Sequence, residues 1–302
     1  MAHPELASSE TEFSRTDWRT MGAFIAAVIL GGSNAVAVRF SNLDLPPFWG
    51  ATIRFTAAAL IFWLIILIRR KAIPRGQALN GALIYGALTI GISYAFIYWA
   101  LVYLPASKAI VFLTLGPLFT YIFAWVHGQE SFRWRSFLGA IVAIAGIVVG
   151  LGAEIGFSLP LLPVLAAVAG IAVGSEGTVL FKSYPKSEPL PVNAISLTIG
   201  SMILFLISLL VGETWSMPSN RTTWLAYGYL VVGGSVLMFY MFLYVLQRWT
   251  ASATSYVLLL VPLATVTLAS WLLDEQVTSR FIIGSSIVLV GVWLGALSQP
   301  KG

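Results

Sequence analysis

The chain has 302 residues, of which 58% are hydrophobic and only 10% charged. An ordinary globular domain is roughly 45–50% apolar and about 25% charged, so this composition excludes a conventional soluble enzyme and a disordered chain. The formal net charge is +5, from 17 Lys+Arg against 12 Asp+Glu, and the apolar excess argues against nucleic acid as its partner. There is no cysteine, and His3 and His127 lie far apart, so no disulfide framework, thiolate nucleophile, metal-ligand cluster or cofactor site is expected.

About 20 apolar residues are needed for a helix to cross a ~30 Å hydrocarbon core. In chain order, ten runs meet that requirement: residues 21–40, 48–68, 78–103, 104–127, 133–152, 161–181, 192–212, 222–246, 251–273 and 279–297. None alternates polar with apolar residues as a barrel strand would. Lipid requires backbones satisfied within the segment, which leaves helices. The expected fold is therefore an all-α integral membrane protein with ten transmembrane helices. Connections are short and carry breakers, as in Asp44-Leu45-Pro46-Pro47 and Pro185 to Pro191.

Residues 1–20 hold Glu5, Glu10, Glu12 and Asp17 and lack the basic start and small-residue cleavage site of a secretory signal. They read as a cytoplasmic tail before a retained first span. With that start inside, twelve of the 17 positive residues face the cytoplasm: Arg15, Arg19, Arg69, Arg70, Lys71, Arg75, Arg133, Arg135, Lys182, Lys186, Arg248 and Lys301. Arg39, Lys108, Arg221 and Arg280 face the other side, and Arg54 lies within a span. This asymmetry supports an even number of spans with both termini cytoplasmic.

The second half echoes the first. At an offset of 145, Ala106-Ser107 returns as Ala251-Ser252 and Pro117-Leu118 as Pro262-Leu263. Thr120, Glu130, Arg135, Gly139, Gly146 and Gly150 return as Thr265, Glu275, Arg280, Gly284, Gly291 and Gly295. At an offset of 142, Gly32-Ser33 matches Gly174-Ser175. The unit is about five spans, used at 21–152 and 161–297. Five is odd, so the second copy enters the membrane from the opposite side, as in secondary transporters whose substrate sits at the midplane between inverted repeats.

The residues carrying this pattern run Gly31-Gly32-Ser33-Asn34-Ala35-Val36-Ala37, Pro46-Pro47, Ile53-Arg54-Phe55, Ala100-Leu101, Ala106-Ser107, Gly116-Pro117-Leu118, Glu130, and Gly139 to Gly146. Their order resembles the EamA family of the drug/metabolite transporter superfamily over about residues 20–297. The resemblance implies an inner-membrane carrier that exports or exchanges small organic metabolites, amino acids prominent among them. YddG-type exporters, which handle aromatic amino acids, are similar. The chain departs from the family in having Gly31 and Gly32 where an aromatic residue is usual. It also has Gln129 and Asp274, rather than glycine, directly before Glu130 and Glu275.

Candidate site residues follow from polar and aromatic groups inside the spans. Glu176 lies about 9 Å inside the membrane edge by helical rise. It contacts a substrate ammonium or couples protons, or else reaches the cytoplasmic headgroups or is locked to a basic residue. Asn34 is its mate across the repeat. Arg54 either binds a carboxylate or, the reading favoured here, reaches the outer surface or ties helix ends together. Lys108 has the same two readings. Tyr94, Tyr98 and Trp99 in the third run, with Phe239 and Tyr240 in the eighth, form either facing walls for a flat substrate or ordinary belt and core packing. Ser107, Ser252 and Ser255 bind substrate or join helices. Pro117 and Pro262 are hinges or static bends. The glycines of the fifth and tenth runs form smooth stripes that let these two helices pack together.

Adjacent Asp274-Glu275 falls at a loop edge, and no elbow, phosphate loop or close carboxylate pair marks an enzyme. The sequence thus points to an alternating-access carrier, a monomer whose partners are a small-molecule substrate and the lipid bilayer. Aromatic or other apolar amino acids are the expected substrates. The alternatives are a sugar-phosphate, drug or cationic-compound carrier of the same fold, or a membrane enzyme.

Overall fold

The computed structural model describes residues 18–105, 109, 112–132, 134–151, 160–272 and 278–294. Most of the expected tail, Ser107, Lys108, Asp274, Glu275 and residues 295–297 lie outside them. Among the described residues the regular structure is all helical, and helical segments fall on each apolar run. We label them α1 (Trp18–Ser41), α2 (Pro47–Arg69), α3 (Gln77–Tyr103), α4 (Leu113–Val126), α5 (Trp134–Leu151), α6 (Leu161–Lys182), α7 (Pro189–Val211), α8 (Arg221–Leu246), α9 (Ala251–Leu272) and α10 (Ser279–Val292). Six of these, α1, α2, α3, α6, α7 and α8, are long and apolar enough to cross a membrane. The ten spans expected from the sequence are thus matched by six helices of spanning length among the described residues.

Local sequence sets the ends. Pro47 and Pro189 open α2 and α7, where a missing N–H is not needed and φ is already helical. Asn220 caps α8 by accepting from Thr223 N at 2.8 Å, and Thr278 caps α10 through Phe281 N at 3.2 Å. Gly212 ends α7 with φ 75°, the left-handed conformation that glycine adopts without strain. Pro117 is buried in the first turn of the α-helical part of α4, just after a 3₁₀ turn over Leu113–Leu115. Proline is tolerated at a helix start, so Pro117 marks a join between helix types. Pro262, its repeat mate, lies within α9.

Two interruptions have no signal in the hydrophobic pattern. α3 widens into a π-helix over Gly86–Ile92, and α8 does the same over Val232–Leu237. They occupy matching places in the two halves. A π segment shifts backbone hydrogen bonding by one residue and recurs at functional sites.

Packing repeats with the halves exchanged. α3 lies on α6 as α8 lies on α1, and α4 lies on α6 as α9 lies on α1. The pairs α2–α7, α4–α9 and α5–α10 join equivalent helices of the two halves. The result is one group of α3, α4, α6 and α7 facing another of α8, α9, α1 and α2, with α5 and α10 packed on each other.

Glycine makes the closest crossings possible. A Cβ on Gly32 would stand 2.3 Å from Ala264 Cβ, and one on Gly31 2.8 Å from Val261 Cγ2. The approach of α9 therefore leaves no room for the aromatic residue usual there. Between α5 and α10, a Cβ on Gly284 would stand 2.3 Å from Gly150 Cα, and one on Gly146 2.6 Å from Val288 N. The smooth stripes do face each other, as their spacing predicts. Replacing Gly284 with leucine should cost about 1–3 kcal/mol through forced separation of the backbones. Gly22→Ala, where nothing lies within 4 Å of the added carbon, should leave stability unchanged. Thermal unfolding in detergent measures both.

Candidate functional site

Where α1, α2, α3 and α8 meet, a guanidinium is enclosed. Arg54 is fully buried, so it does not reach the outer surface, one form of the reading favoured from sequence; it ties helices together, as the other form has it. α2 carries it, and three other helices supply its partners. Its Nε donates to Ser235 Oγ at 2.8 Å and its Nη1 to Tyr98 Oη at 2.9 Å. Its Nη2 donates to Asn34 Oδ1 at 3.0 Å and to the Gly234 carbonyl at 2.8 Å. Asn34 Nδ2 donates to the same carbonyl at 3.0 Å. The π segment of α8 thus turns Gly234 and Ser235 toward the charge. Gly234 must be glycine, because a Cβ would lie 2.1 Å from Asn34 Oδ1.

Beside this cluster lies a cavity of about 160 Å³ between the two helix groups. Asn34, Arg54, Tyr94, Tyr98, Phe239 and Ser255 all line it. Its aromatic wall is tightly organised. Phe55 meets Tyr94 edge-on at 5.0 Å between ring centroids, and Tyr94 meets Phe239 edge-on at 5.8 Å; such geometry is favoured by the ring quadrupoles. The π segment of α3 contributes Thr89 to the lining, and Ser175 and Thr178 of α6 face it from the other side. Of the aromatic pairs four residues apart, Tyr94 and Tyr98 line the cavity. Tyr240 packs on Tyr244 at 6.4 Å outside the lining, as Trp99 packs on Tyr103 at 5.2 Å.

Other expected site residues sit toward the helix ends. Glu176 Oε1 pairs with His127 Nε2 at 2.7 Å and is not part of the cavity wall. Its second oxygen, Oε2, is buried without a protein partner. Ser252 Oγ donates to Glu130 Oε1 at 2.6 Å. Gln129 donates to the Val179 carbonyl at 2.9 Å and Ser183 Oγ at 2.8 Å. It thereby pins the loop after α4 to α6, where the family pattern has glycine.

Two cation ties close opposite ends of the interface between the helix groups. Arg39, ending α1, donates to the Leu101 carbonyl of α3 at 3.0 Å. Lys182, ending α6, donates to the Leu246 and Trp249 carbonyls at the end of α8, at 2.7 and 2.9 Å. Each places a cation on the negative end of a helix. At the Arg39 end, Glu213 accepts from Phe48 N at 3.1 Å and Trp49 N at 2.7 Å, an anion on the start of α2. Ser219 donates twice to Asp44 at 2.6 Å, from its N and its Oγ. Those bonds hold the Asp44 carboxyl below the usual range for aspartate. This tie is therefore complete at neutral pH and weakens only as pH falls through that lowered value.

A family model described as the EamA-like transporter family matches residues 18–151 and again 161–296. Among curated relatives, the chain is 26% identical over 284 residues to an Escherichia coli K12 protein named an uncharacterized inner membrane transporter, YedA. That match covers 92% of this chain and 90% of the relative. It is 24% identical over 282 residues to a probable amino-acid metabolite efflux pump of the same organism, covering 89% and 92%. A solved crystal structure shares the fold at a TM-score of 0.69 with 21% identity, covering 93% of this chain and 98% of the other.

The hub predicts its own sensitivity. Tyr98→Phe removes the acceptor of Nη1 and should lower stability by about 1–2 kcal/mol, the range for interhelical hydrogen bonds in membranes. Gly234→Ala, which displaces the Asn34 amide, should cost more. Unfolding in detergent compares the two.

Proposed function

The chain belongs to the EamA-like transporter family, and from that membership we propose that it moves small organic metabolites across the membrane by alternating access. The single observation that carries this reading is a cavity with an aromatic wall between two helix groups that are related by exchange of the repeats. In this reading the chain forms ten spans in two inverted five-span units. Asn34, Tyr94, Tyr98, Phe239 and Ser255 contact the substrate. Aromatic or other apolar amino acids suit the rings and the enclosed volume. The efflux-pump name of one relative agrees with that class. The inner-membrane name of another agrees with a cytoplasmic-membrane location. The charge asymmetry puts both termini in the cytoplasm, and a monomer holds the whole cavity.

The two cation ties give the motion a physical basis. Arg39 joins α1 to α3 at one end and Lys182 joins α6 to α8 at the other. Both ties cross between the helix groups. Releasing one while keeping the other opens the cavity to one side only, as inverted repeats require. Gly31 and Gly32 let α1 lie close on α9 within one group, so that group moves as a body.

Purified protein in liposomes should accumulate or release labelled phenylalanine, tyrosine or leucine, with flux saturating and competed by unlabelled substrate. A protein that moves no member of such a panel in either direction contradicts the carrier reading. Glu176→Gln, measured with and without a pH gradient, tests coupling: gradient dependence should be lost, whereas unchanged dependence removes Glu176 from that role.

The ties make a mirrored pair of expectations. Arg39→Gln should lengthen the distance between spin labels at Leu43 and Tyr103, both exposed at that end. Lys182→Gln should leave that distance unchanged or shorter. Electron-electron double resonance reads both.

A further inference from the structure

We infer that the Arg54 cluster is a receptor for a carboxylate and that the cavity takes organic monoanions whose amino group is dispensable. This rests on the carrier reading and deepens it by naming the substrate class.

The argument begins from charge. A guanidinium stays protonated in proteins, and an unpaired charge inside a membrane protein is costly unless it has a partner. Arg54 is fully buried, yet all its partners are neutral: Ser235, Tyr98, Asn34 and the Gly234 carbonyl. Among the described residues no carboxylate pairs with it. Nor is there one nearby to do so: the cavity lining holds no aspartate, glutamate, lysine or histidine among the described residues. Glu176, the intramembrane carboxylate singled out from sequence, is bound to His127. The cavity wall therefore carries a positive charge that no described lining residue balances.

Hydrogen-bond capacity points the same way. A guanidinium has five N–H donors, and the four bonds to protein leave one at Nη1. Tyr98 Oη accepts from Arg54, so its own proton remains to be given. Asn34 spends one amide hydrogen on Gly234 and keeps the other. The Gly234 carbonyl already receives two donors. Arg54, Tyr98 and Asn34 all line the cavity, and the bonds from Arg54 polarise the remaining donors of Tyr98 and Asn34. A carboxylate, with about four lone-pair sites, uses all of these donors. An ammonium finds hydroxyls and ring faces such as those of Tyr94 and Phe239, but no carboxylate among the described lining residues. The apolar remainder of the wall, Val38, Ile97, Leu101 and Val261 among it, favours an organic body over an inorganic anion.

The test uses the full chain in detergent, with binding measured by calorimetry. The probes are L-phenylalanine, 3-phenylpropionate, phenethylamine and inorganic phosphate. Phenylalanine and 3-phenylpropionate should bind within about threefold of each other. Phenethylamine and phosphate should bind at least tenfold more weakly. Arg54→Lys should weaken both acids about tenfold or more. Because a change at Arg54 disturbs four helices, Asn34→Asp is the second variant. It sets a carboxylate against Nη2, satisfies the charge in place, and should abolish acid binding in a protein that still unfolds cooperatively. The inference is overturned if phenethylamine or phosphate binds as well as the acids, if no acid binds, or if Asn34→Asp binds acids like the wild type. Flux of 3-phenylpropionate in liposomes separates the two readings: acid binding without flux overturns the carrier reading alone, whereas flux indifferent to Asn34→Asp overturns only this inference.

Discussion

One buried cation organises the centre of this protein. A guanidinium is a charged donor with five N–H groups, and lipid offers no water, so three other helices must bring polar groups to Arg54. α1 brings Asn34, α3 brings Tyr98, and the widened turn of α8 brings a carbonyl and a hydroxyl. Every one of these bonds is interhelical. The arrangement fixes the relative placement of α1, α2, α3 and α8, and with it the wall of the cavity. Among the described residues the cluster meets this charge with neutral groups alone, and the proposed ligand site rests on that.

The pseudo-symmetry of the fold makes this centre lopsided in a useful way. The two π segments occupy equivalent positions, but they face different neighbours. In α8 the segment turns toward Asn34 and Arg54. In α3 it turns toward Gly174, whose carbonyl accepts from Thr89 at 3.3 Å. The close crossings of Gly86 on Ser196 and of Gly177 on Thr89 hold that second side tightly, with added carbons standing 2.6 and 2.4 Å from the facing atoms. One half of the repeat is thus polar and charged at the cavity, and the other is hydroxyl-lined.

Much of this was legible in the residues themselves, for reasons that differ by feature. Helix positions follow from length and hydropathy, which are local, and all ten apolar runs carry helix. The pairing of α5 with α10 follows from glycines at helical spacing, also local. The π segments left no trace, because a one-residue shift in hydrogen bonding barely changes an apolar pattern. For Arg54, near a helix end, depth alone cannot separate a side chain reaching outward from one turned inward to tie helices, and its four partners decide for the second. Depth left Glu176 either a cavity role or a basic partner, and His127, 49 residues away in the chain, lies against it. Such long-range pairings have no signature in a single sequence. Tyr94 and Tyr98 came through because two rings four residues apart share a face, whereas the same spacing at Tyr240 and Tyr244 faces away from the cavity.

The central claim is that the cavity beside Arg54 is one site reached in turn from both faces. The chain has no cysteine, so one engineered thiol is a clean reporter. Ser93 lines the cavity and is buried. In oriented vesicles, a membrane-impermeant thiol reagent added to either face should label Ser93→Cys, and saturating substrate should slow labelling from both. Labelling from one face only, or labelling that substrate leaves unchanged, would contradict the account.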